Sequence, residues 1–116
     1  VWMYVATATH RRLTEKALKT AGIDQYFRGI ITSTDAGNHK RDSADIYEMA
    51  MRRLQSNKRD TVVFEDALYA IRTAKAAGFR VAGVYEATAE QDQPEIQRLC
   101  DYYIRSYEEL VQSETF

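Results

Sequence analysis

Residues 61–86 read TVVFEDALYAIRTAKAAGFRVAGVYE, and no other stretch limits the fold of this chain as strongly. Residues 61–64 form a short apolar, β-branched run, which is typical of a strand buried on both faces. Residues 67–77 favour a helix, Gly78 favours its end, and residues 80–85 are apolar again. Two strands joined so tightly through a helix predict a right-handed parallel β-α-β unit.

Two carboxylates, Glu65 and Asp66, directly follow the first strand of this unit. In open parallel sheets, the chemistry is located beyond the carboxyl ends of the strands. One interpretation is structural, with Asp66 capping the next helix and Glu65 facing water. The other is a magnesium site, because Mg²⁺ prefers hard oxygen ligands and keeps several waters, so one or two carboxylates suffice. The two interpretations are compatible, and the residues alone leave both open.

The composition is typical of one small soluble domain, with 116 residues, 45% hydrophobic and 28% charged. A net charge of −1 predicts no general attraction to nucleic acid or to an anionic membrane. The one cysteine, Cys100, excludes an internal disulfide, so we expect a reducing, cytoplasmic compartment. No apolar run has the length of a membrane span. The chain starts at Val1, directly on a strand, so we expect a piece of a longer protein.

Strands and helices alternate along the whole chain. The predicted strands are residues 2–7, 29–32, 61–64, 80–85 and 102–104. The predicted helices run from Thr9 or His10 to Ala21, from Asp42 or Ser43 to Leu54, from Ala67 to Ala77, from Pro94 to Leu99 or Cys100, and onward from a capping box at Ser106 and Glu109. This alternation predicts an α/β fold with a mainly parallel sheet.

Apolar residues at helical spacing predict the buried face of each helix. The residues expected to face inward are Leu13, Ala17, Leu18 and Ala21, then Ile46, Met49, Ala50 and Leu54, then Ala67, Ile71, Ala74 and Ala77. Gly22 is expected to end the first helix in the left-handed conformation that glycine favours. Cys100 is interpreted as a small core residue.

The first strand ends in Thr7-Ala8-Thr9 and leads directly into a helix. A hydroxyl together with the free amides of a helix N-terminus can bind phosphate. Alternatively, Thr7 or Thr9 is only an N-cap, which is the commoner use of such a residue. The residues that follow, His10, Arg11 and Arg12, could contact phosphate, although an exposed first helical turn favours solvated charge. A second basic pair, Lys40 and Arg41, lies in the loop before residue 44, where such pairs usually face solvent.

These segments resemble motifs II, III and IV of the haloacid dehalogenase-like hydrolases, especially the phosphoglycolate phosphatase and β-phosphoglucomutase branch. In motif IV of that branch, an apolar strand is followed by Phe-Glu-Asp-Ser and an alanine-rich helix that ends in Ala-Ala-Gly. The matching residues are Phe64, Glu65, Asp66, Ala70, Ile71, Ala74, Lys75, Ala76, Ala77 and Gly78. Ala67 stands where the branch usually has Ser. The resemblance implies that Asp66, helped by Glu65, holds Mg²⁺.

Motifs II and III imply the phosphate contacts. Motif II is an apolar strand that ends in Ser or Thr before a small residue, so Thr7 would bind the transferring phosphoryl group, with Ala8 as the small residue. Motif III is a Lys just before a helix that begins like Ala-Asp-Ile-Tyr at 44–47. Residue type favours Lys40 and spacing favours Arg41; we favour Lys40, whose charge would neutralise the nucleophile and the phosphoryl group.

The resemblance covers nearly the whole chain and implies one partial core domain, residues 1–116, with a three-layer Rossmann-like fold. Motif I, Asp-x-Asp, is absent, because no two aspartates are two residues apart. The helical cap between motifs I and II would be absent too. The missing strand would lie between the strands at 2–7 and 61–64, which would leave two strand edges without a partner. We expect a missing N-terminal segment that complements them, pairing with another chain by self-association or complementation, or closure of the two neighbouring strands onto each other.

The implied function is part of a Mg²⁺-dependent phosphatase that acts on a small phosphorylated metabolite through an aspartyl-phosphate. Without the nucleophile, the 116-residue chain itself is expected to be inactive. The alternative is a non-catalytic α/β module for binding or assembly. A receiver-type signalling domain is disfavoured, because its first strand would end in an acidic pair, whereas here it ends in Thr7.

Overall fold

The computed structural model of the chain describes residues 1–37, 44–106 and 108. The chain divides into two units, Val1–Asn57 and Lys58–Phe116, and each is described by itself below. Both units are α/β, and every strand pairing in them is parallel. The α/β fold class and the parallel pairing predicted from the sequence are therefore confirmed.

The first unit contains a two-stranded parallel sheet of β1 (Met3–Thr7) and β2 (Phe27–Thr32). Helix α1 (Arg11–Ala21) connects the two strands, and α2 (Asp45–Arg53) follows β2. In the register of the sheet, Thr7 lies opposite Thr32. The carboxyl ends of both strands therefore meet at one edge, where Thr7 stands.

Helix α1 begins at Arg11, one residue after the predicted His10, and ends at Ala21 as predicted. His10 is the N-cap, and its Nδ1 atom accepts a 3.3 Å hydrogen bond from the amide of Arg12. Gly22 follows the helix with φ of 73°, and its amide donates to the carbonyl of Lys19 at 3.0 Å. A residue with a side chain adopts this left-handed conformation only with strain, which explains why glycine ends the helix.

The predicted buried face of α1 is wrong. Three of the four residues expected to face inward are exposed: Leu13, Ala17 and Ala21. Thr14 is buried instead, and Leu18 is half-buried. The Arg11 side chain donates to the carbonyl of Ile30 in β2 at 2.8 Å, which is a polar contact between the helix and the sheet. Leu13 is left 62% exposed.

A close contact between neighbouring strands shapes the start of the first sheet. A Cβ atom on Gly29 of β2 would overlap the hydroxyl of Tyr4 in β1. Glycine therefore leaves the space in which the Tyr4 ring lies. Arg53, at the end of α2, donates to the Tyr4 hydroxyl at 3.5 Å. The predicted inward side of α2 is half-buried along its length, at Ile46, Met49, Ala50 and Leu54.

The second unit contains a three-stranded parallel sheet in the order β3, β4, β5. Its strands are β3 (Val62–Glu65), β4 (Arg80–Val84) and β5 (Tyr102–Ile104). Helix α3 (Leu68–Ala76) connects β3 to β4. A 3₁₀ segment, Ala87–Asp92, and helix α4 (Gln93–Leu99) connect β4 to β5. Two consecutive parallel β-α-β units thus place three carboxyl ends at one edge.

The core of the second unit lies between this sheet and its helices. The largest fully buried side chains here are Ile71 of α3, Phe79, Val81 of β4 and Ile96 of α4. Gly78 ends α3 with φ of 93°, as predicted. Pro94 lies in the first turn of α4, also as predicted. Backbone amides in the first turn have no hydrogen-bond partner within the helix, so a proline without an amide hydrogen fits there.

The remaining differences from the sequence predictions are small. Strand β2 starts at Phe27, two residues earlier than predicted, and the polar connector at 88–92 is a 3₁₀ segment. The capping box of the closing helix lies largely outside the described residues. Over the described ranges, β1 and β3 each pair along one edge only. None of the helices described has the length and hydropathy that a membrane-spanning helix needs.

Candidate functional site

A pocket of about 470 Å³ lies at the carboxyl ends of the three strands in the second unit. Each strand and the residues directly after it contribute one part of the wall. The lining residues are Phe64, Glu65, Asp66, Val84, Tyr85, Glu86, Arg105 and Ser106. The register explains this convergence, because Glu65 lies opposite Gly83 and Val84 lies opposite Ile104. The edge is the one where parallel sheets hold their ligands.

The first wall of the pocket carries the acidic pair from the sequence. Glu65 is the last residue of β3, and its Oε1 atom accepts a 3.2 Å hydrogen bond from the amide of Asp66. The N-cap of α3 is Ala67, with no side-chain cap. The interpretation of Asp66 as a helix cap is therefore wrong, because the residue lies one position too early. Its exposed carboxylate has no hydrogen bond or ion pair with any residue that the structure describes.

The opposite wall consists of residues that the sequence analysis did not select. The Tyr85 amide donates to the carbonyl of Ile104 at 2.9 Å, and its hydroxyl donates to the carboxylate of Glu90. This hydroxyl bond to Glu90 is the main cause that raises the pKa of Tyr85. The Arg105 guanidinium lies over the Tyr85 ring, with its central carbon 5.8 Å from the ring centroid.

Glu86 also lines the pocket, directly after Tyr85 at the end of β4. Its Oε1 atom accepts hydrogen bonds from the amide of Thr88 at 3.2 Å and from the hydroxyl of Thr88 at 3.3 Å. This cap holds the start of the 3₁₀ segment that leaves β4. Glu86 thus adds a third carboxylate to the pocket lining.

The pocket residues that were not predicted from the sequence also lie just beyond the carboxyl ends of parallel strands, as Glu65 and Asp66 do. Arg105 and Ser106 come directly after β5, and Tyr85 and Glu86 come directly after β4. From the sequence, the rule that ligands bind at such strand ends pointed only to the two residues at the end of β3, Glu65 and Asp66. Extending it to every predicted strand would have found the complete wall.

The donor set of the pocket fits a hydrated divalent cation. Carboxylate oxygens from Glu65, Asp66 and Glu86 are the hard ligands that Mg²⁺ prefers, and Mg²⁺ usually keeps several waters. Over residues 1–37, 44–106 and 108, no three His, Cys, Asp or Glu side chains lie close enough together to enclose a metal ion. The arrangement therefore suits an ion held by one or two carboxylates, rather than a closed structural site.

Two of the predicted phosphate residues, Thr7 and Ala8, lie in the described part of the first unit. The Oγ1 atom of Thr7 accepts a 3.0 Å hydrogen bond from the amide of Thr9, and the Thr7 carbonyl accepts one from Ser33. Neither threonine is the N-cap of α1, which is His10. The N-cap alternative for Thr7 and Thr9 is therefore wrong. Ala8 is exposed in the bend between strand and helix.

An ion pair anchors the loop next to Thr7. The Arg11 guanidinium contacts the Asp35 carboxylate at 2.5 Å, so the interpretation of Arg11 as solvated charge is wrong. The same Asp35 oxygen accepts hydrogen bonds from the amide and the hydroxyl of Thr32, at 2.9 and 3.1 Å. The Thr32 amide is the largest cause, followed by Arg11, that lowers the pKa of Asp35. These contacts fix the turn after β2.

The other predicted site residues stay predictions. Lys40 and Arg41, the two candidates for the motif III cation, lie outside the described residues. Thr7 belongs to the first unit and Asp66 to the second, so their convergence on one cleft is likewise a prediction.

The sequence matches the family described as haloacid dehalogenase-like hydrolase over residues 1–84. The pyrophosphatase PpaX of Halalkalibacterium halodurans is 31% identical over 107 residues, which are 92% of this chain and 49% of PpaX. The fructose-1-phosphate phosphatase YqaB of Escherichia coli is 29% identical over 82 residues, which are 71% of this chain and 43% of YqaB. The chain thus spans about half the length of the curated relatives it matches.

A solved structure shows the same fold. The crystal structure of a candidate β-phosphoglucomutase from Thermotoga maritima superposes with a TM-score of 0.81 at 23% identity. The alignment covers 100% of this chain and 54% of the other. The family match covers well over half of the chain and includes both the strand that ends in Thr7 and the acidic pair of β3. The chain therefore belongs to the haloacid dehalogenase-like hydrolases.

Proposed function

We propose that this chain is the part of a Mg²⁺-dependent phosphatase core that binds the ion and the phosphoryl group. The observation that carries the proposal is the Asp66 carboxylate. It lines a pocket at the carboxyl ends of three parallel strands, beside Glu65, and no described residue pairs with it. An exposed carboxylate that the fold does not use, at the edge where such sheets bind ligands, fits a metal ligand better than a structural residue.

Each predicted site residue has a separate role in this proposal. Asp66 and Glu65 hold Mg²⁺, which when bound supplies charge neutralisation to a phosphoryl oxygen. Thr7 binds the phosphoryl group: its hydroxyl already accepts from Thr9, which leaves the hydroxyl hydrogen available to donate. Ala8 offers a small side chain and a backbone amide at the same bend. Lys40 neutralises negative charge on the phosphoryl group.

The reaction class follows from the family. The curated relatives PpaX and YqaB are named as a pyrophosphatase and a fructose-1-phosphate phosphatase, and both names describe hydrolysis of a phosphate group. We infer that the whole protein hydrolyses a small phosphorylated metabolite through an aspartyl-phosphate. The residues 1–116 form one partial core domain in this proposal. The nucleophile would be an Asp-x-Asp motif, which the 116 residues do not contain. The chain alone therefore binds ligands without turnover.

A magnesium titration tests the metal site. We expect isothermal calorimetry to detect one Mg²⁺ site in the chain, and Asp66→Asn to weaken it by about tenfold or more. Asp92→Asn is the matched control, because Asp92 lies outside the pocket in the same unit and makes no side-chain cap. Equal Mg²⁺ affinity in the wild type and in Asp66→Asn would refute the site.

An activity assay tests the absence of turnover separately. With Mg²⁺ and a generic aryl phosphate, the 116-residue chain should release no phosphate above the rate of the buffer. Steady release that Asp66→Asn abolishes would show that the chain holds its own nucleophile. Such a result would contradict the predicted inactivity and still support the metal site.

A second candidate function is a non-catalytic α/β module for binding or assembly. The absence of an Asp-x-Asp pair among the 116 residues favours it. The second edges of β1 and β3, which pair with no strand in the described ranges, would then serve self-association or a complementing segment. Light scattering over a range of protein concentrations, with and without Mg²⁺, distinguishes the candidates. If the chain associates equally with and without Mg²⁺ and binds no Mg²⁺, the result supports the non-catalytic module.

A further inference from the structure

We propose that Asp35 is a positioning residue for Thr7, because it anchors both ends of the β1–α1 connection (residues 8–10) to the end of β2. The inference rests on the proposed function, in which Thr7 binds the phosphoryl group. Asp35 comes three residues after β2 ends and belongs to none of the motif segments that the resemblance identified. Its carboxylate links two sets of contacts, one at Thr7 and one at Arg11, that flank this connection.

The first end of the connection is Thr7, whose backbone is tied to the turn after β2. Its carbonyl accepts a 3.1 Å hydrogen bond from the amide of Ser33. The residue before Ser33 is Thr32, which lies opposite Thr7 in the sheet. Thr32 donates its amide and its hydroxyl to one oxygen of Asp35, at 2.9 and 3.1 Å, and its hydroxyl accepts the Asp35 amide at 3.3 Å. Asp35 therefore fixes the turn whose Ser33 amide holds Thr7.

The second end of the connection is Arg11, the first residue of α1. Its guanidinium donates to the carbonyl of Ile30 at 2.8 Å and to the same Asp35 oxygen at 2.5 Å. Within the connection, the amide of Thr9 donates to the Thr7 hydroxyl oxygen at 3.0 Å, so the direction of that hydroxyl depends on the path of the backbone. The connection is thus restrained at both ends before a ligand binds. Groups that are already oriented lose less conformational entropy on binding.

Charge alone would give Asp35 the opposite effect on phosphate. A carboxylate repels a nearby phosphate, so its removal would strengthen phosphate binding if charge were its only influence. The pKa of Asp35 is lowered, chiefly by the hydrogen bond from the Thr32 amide and then by the one from Arg11, so the group is ionised near neutral pH. Positioning and charge therefore predict effects of opposite sign when this carboxylate is removed.

Titration of inorganic phosphate into the Mg²⁺-saturated chain, followed through the amide resonances of residues 7–9, tests the proposal. Thr7→Val should weaken phosphate binding by about tenfold, the effect of losing one hydrogen bond to a charged group. Asp35→Ala should weaken it by about fivefold, because the connection loses its shared anchor. Asp35→Asn should fall between Asp35→Ala and the wild type, since one side-chain oxygen remains to accept from Thr32. Asp24→Ala is the matched control, at an exposed residue before the start of β2, and should change the affinity by less than about twofold.

A second variant removes the anchor without changing the net charge. Lysine at position 11 keeps the positive charge but cannot reproduce the planar contacts with Ile30 and Asp35. We expect Arg11→Lys to weaken phosphate binding by about fivefold, whereas Arg12→Lys, at an exposed neighbour, should change it by less than about twofold. Each variant is measured well below its own melting temperature, and the amide resonances of residues 58–106 should keep their wild-type positions, which shows that the chain remains folded. A merely structural role would lower the melting temperature and leave the phosphate affinity of the folded chain unchanged.

The outcomes separate this inference from the proposed function. Weaker phosphate binding in Asp35→Ala and Arg11→Lys, but not in the two controls, supports the positioning role. If Thr7→Val weakens phosphate binding while Asp35→Ala binds phosphate as tightly as the wild type or more tightly, the role of Asp35 is overturned and that of Thr7 stands. If Thr7→Val leaves the affinity unchanged, or if the chain binds no phosphate, both roles are overturned.

Discussion

The Asp101 carboxylate accepts a 2.8 Å hydrogen bond from the backbone amide of Val81. The same oxygen accepts a second hydrogen bond, also of 2.8 Å, from the ammonium group of Lys75 in α3. The Asp101 amide donates in return to the carbonyl of Val81 at 3.0 Å. One side chain before β5 thus holds α3 and β4 together at the end of the sheet opposite the pocket.

This contact predicts a pH dependence of stability. Burial alone would raise the pKa of Asp101, but the hydrogen bonds from Lys75 and Val81 outweigh burial and lower it. A lowered pKa in the folded state contributes stability that is present above the unfolded value of about 3.9 and is lost as the pH falls through the folded pKa. We expect Asp101→Asn to lower the urea midpoint near neutral pH and to remove part of the acid sensitivity below about pH 4.

Urea unfolding of both proteins between about pH 3 and pH 7 measures this effect. The gap between their midpoints should narrow as the pH falls, because the protonated Asp101 of the wild type loses its ionic contact with Lys75. Asp92→Asn serves as the control, since it changes the same residue type without touching this network. A gap that stays constant down to the lowest pH would contradict the prediction.

The second prediction concerns Arg11. Its guanidinium contacts two acceptors, the carbonyl of Ile30 and the carboxylate of Asp35. Lysine offers one compact charge and cannot reproduce this planar geometry. We therefore expect Arg11→Lys to lower the melting temperature nearly as much as Arg11→Gln does, whereas Arg12→Gln, at an exposed neighbour, should have little effect. A melting temperature for Arg11→Lys equal to that of the wild type would show that charge alone is sufficient.

The third prediction concerns the packing of α4 on β4. A Cβ atom on Gly83 would lie 2.7 Å from Sγ of Cys100 and 2.9 Å from Cγ2 of Ile96. Gly83→Ala should therefore lower the free energy of unfolding by about 1–3 kcal/mol, the usual cost of overpacking a core. Cys100→Ala removes one of the two clashing atoms, so the double variant should be less destabilised than the sum of the single variants. Chemical denaturation of all four proteins completes the cycle, and strict additivity would refute the clash.

The fourth prediction concerns the reactivity of Cys100. Burial is the main cause that raises the pKa of its thiol, and the negative charge of Asp101 adds to the effect. Since the thiolate is the reactive form, the folded chain should react slowly with iodoacetamide near pH 8 and faster in urea. The reaction rate in the folded state should continue to rise with pH above about 8.5, the ordinary pKa of a cysteine thiol. A folded-state rate equal to that in urea would contradict this.

Local sequence determined the order and most of the boundaries of the elements. Gly22 and Gly78 end their helices with φ of 73° and 93°, a conformation that depends on the glycine itself rather than on distant contacts. Pro94 at the start of α4 is predictable for the same reason, because its ring fixes φ within the residue. The acidic pair after β3 could also be selected from the sequence, because ligands bind beyond the carboxyl ends of parallel strands.

The rotation of α1 needed the tertiary structure. Apolar spacing pointed to Leu13, yet Thr14 is the buried residue of the helix, and Arg11 donates a hydrogen bond to the carbonyl of Ile30 in β2. The spacing of apolar residues shows which face of a helix is the more hydrophobic. It carries no information about a polar contact between the helix and a strand that is distant in sequence. The structure was also needed to show that Asp66 does not cap α3. The N-cap is Ala67, so the helix starts one residue too late for Asp66 to cap it.

Only the folded chain could show that Arg105 and Asp66 line one pocket. They are distant in sequence, and the parallel register of β3, β4 and β5 brings their strand ends together. The sequence by itself determined which residues follow each strand and hence the chemistry available at the edge. Tertiary structure decided which of those ends are neighbours, because strand order depends on packing between elements, and no local pattern encodes it.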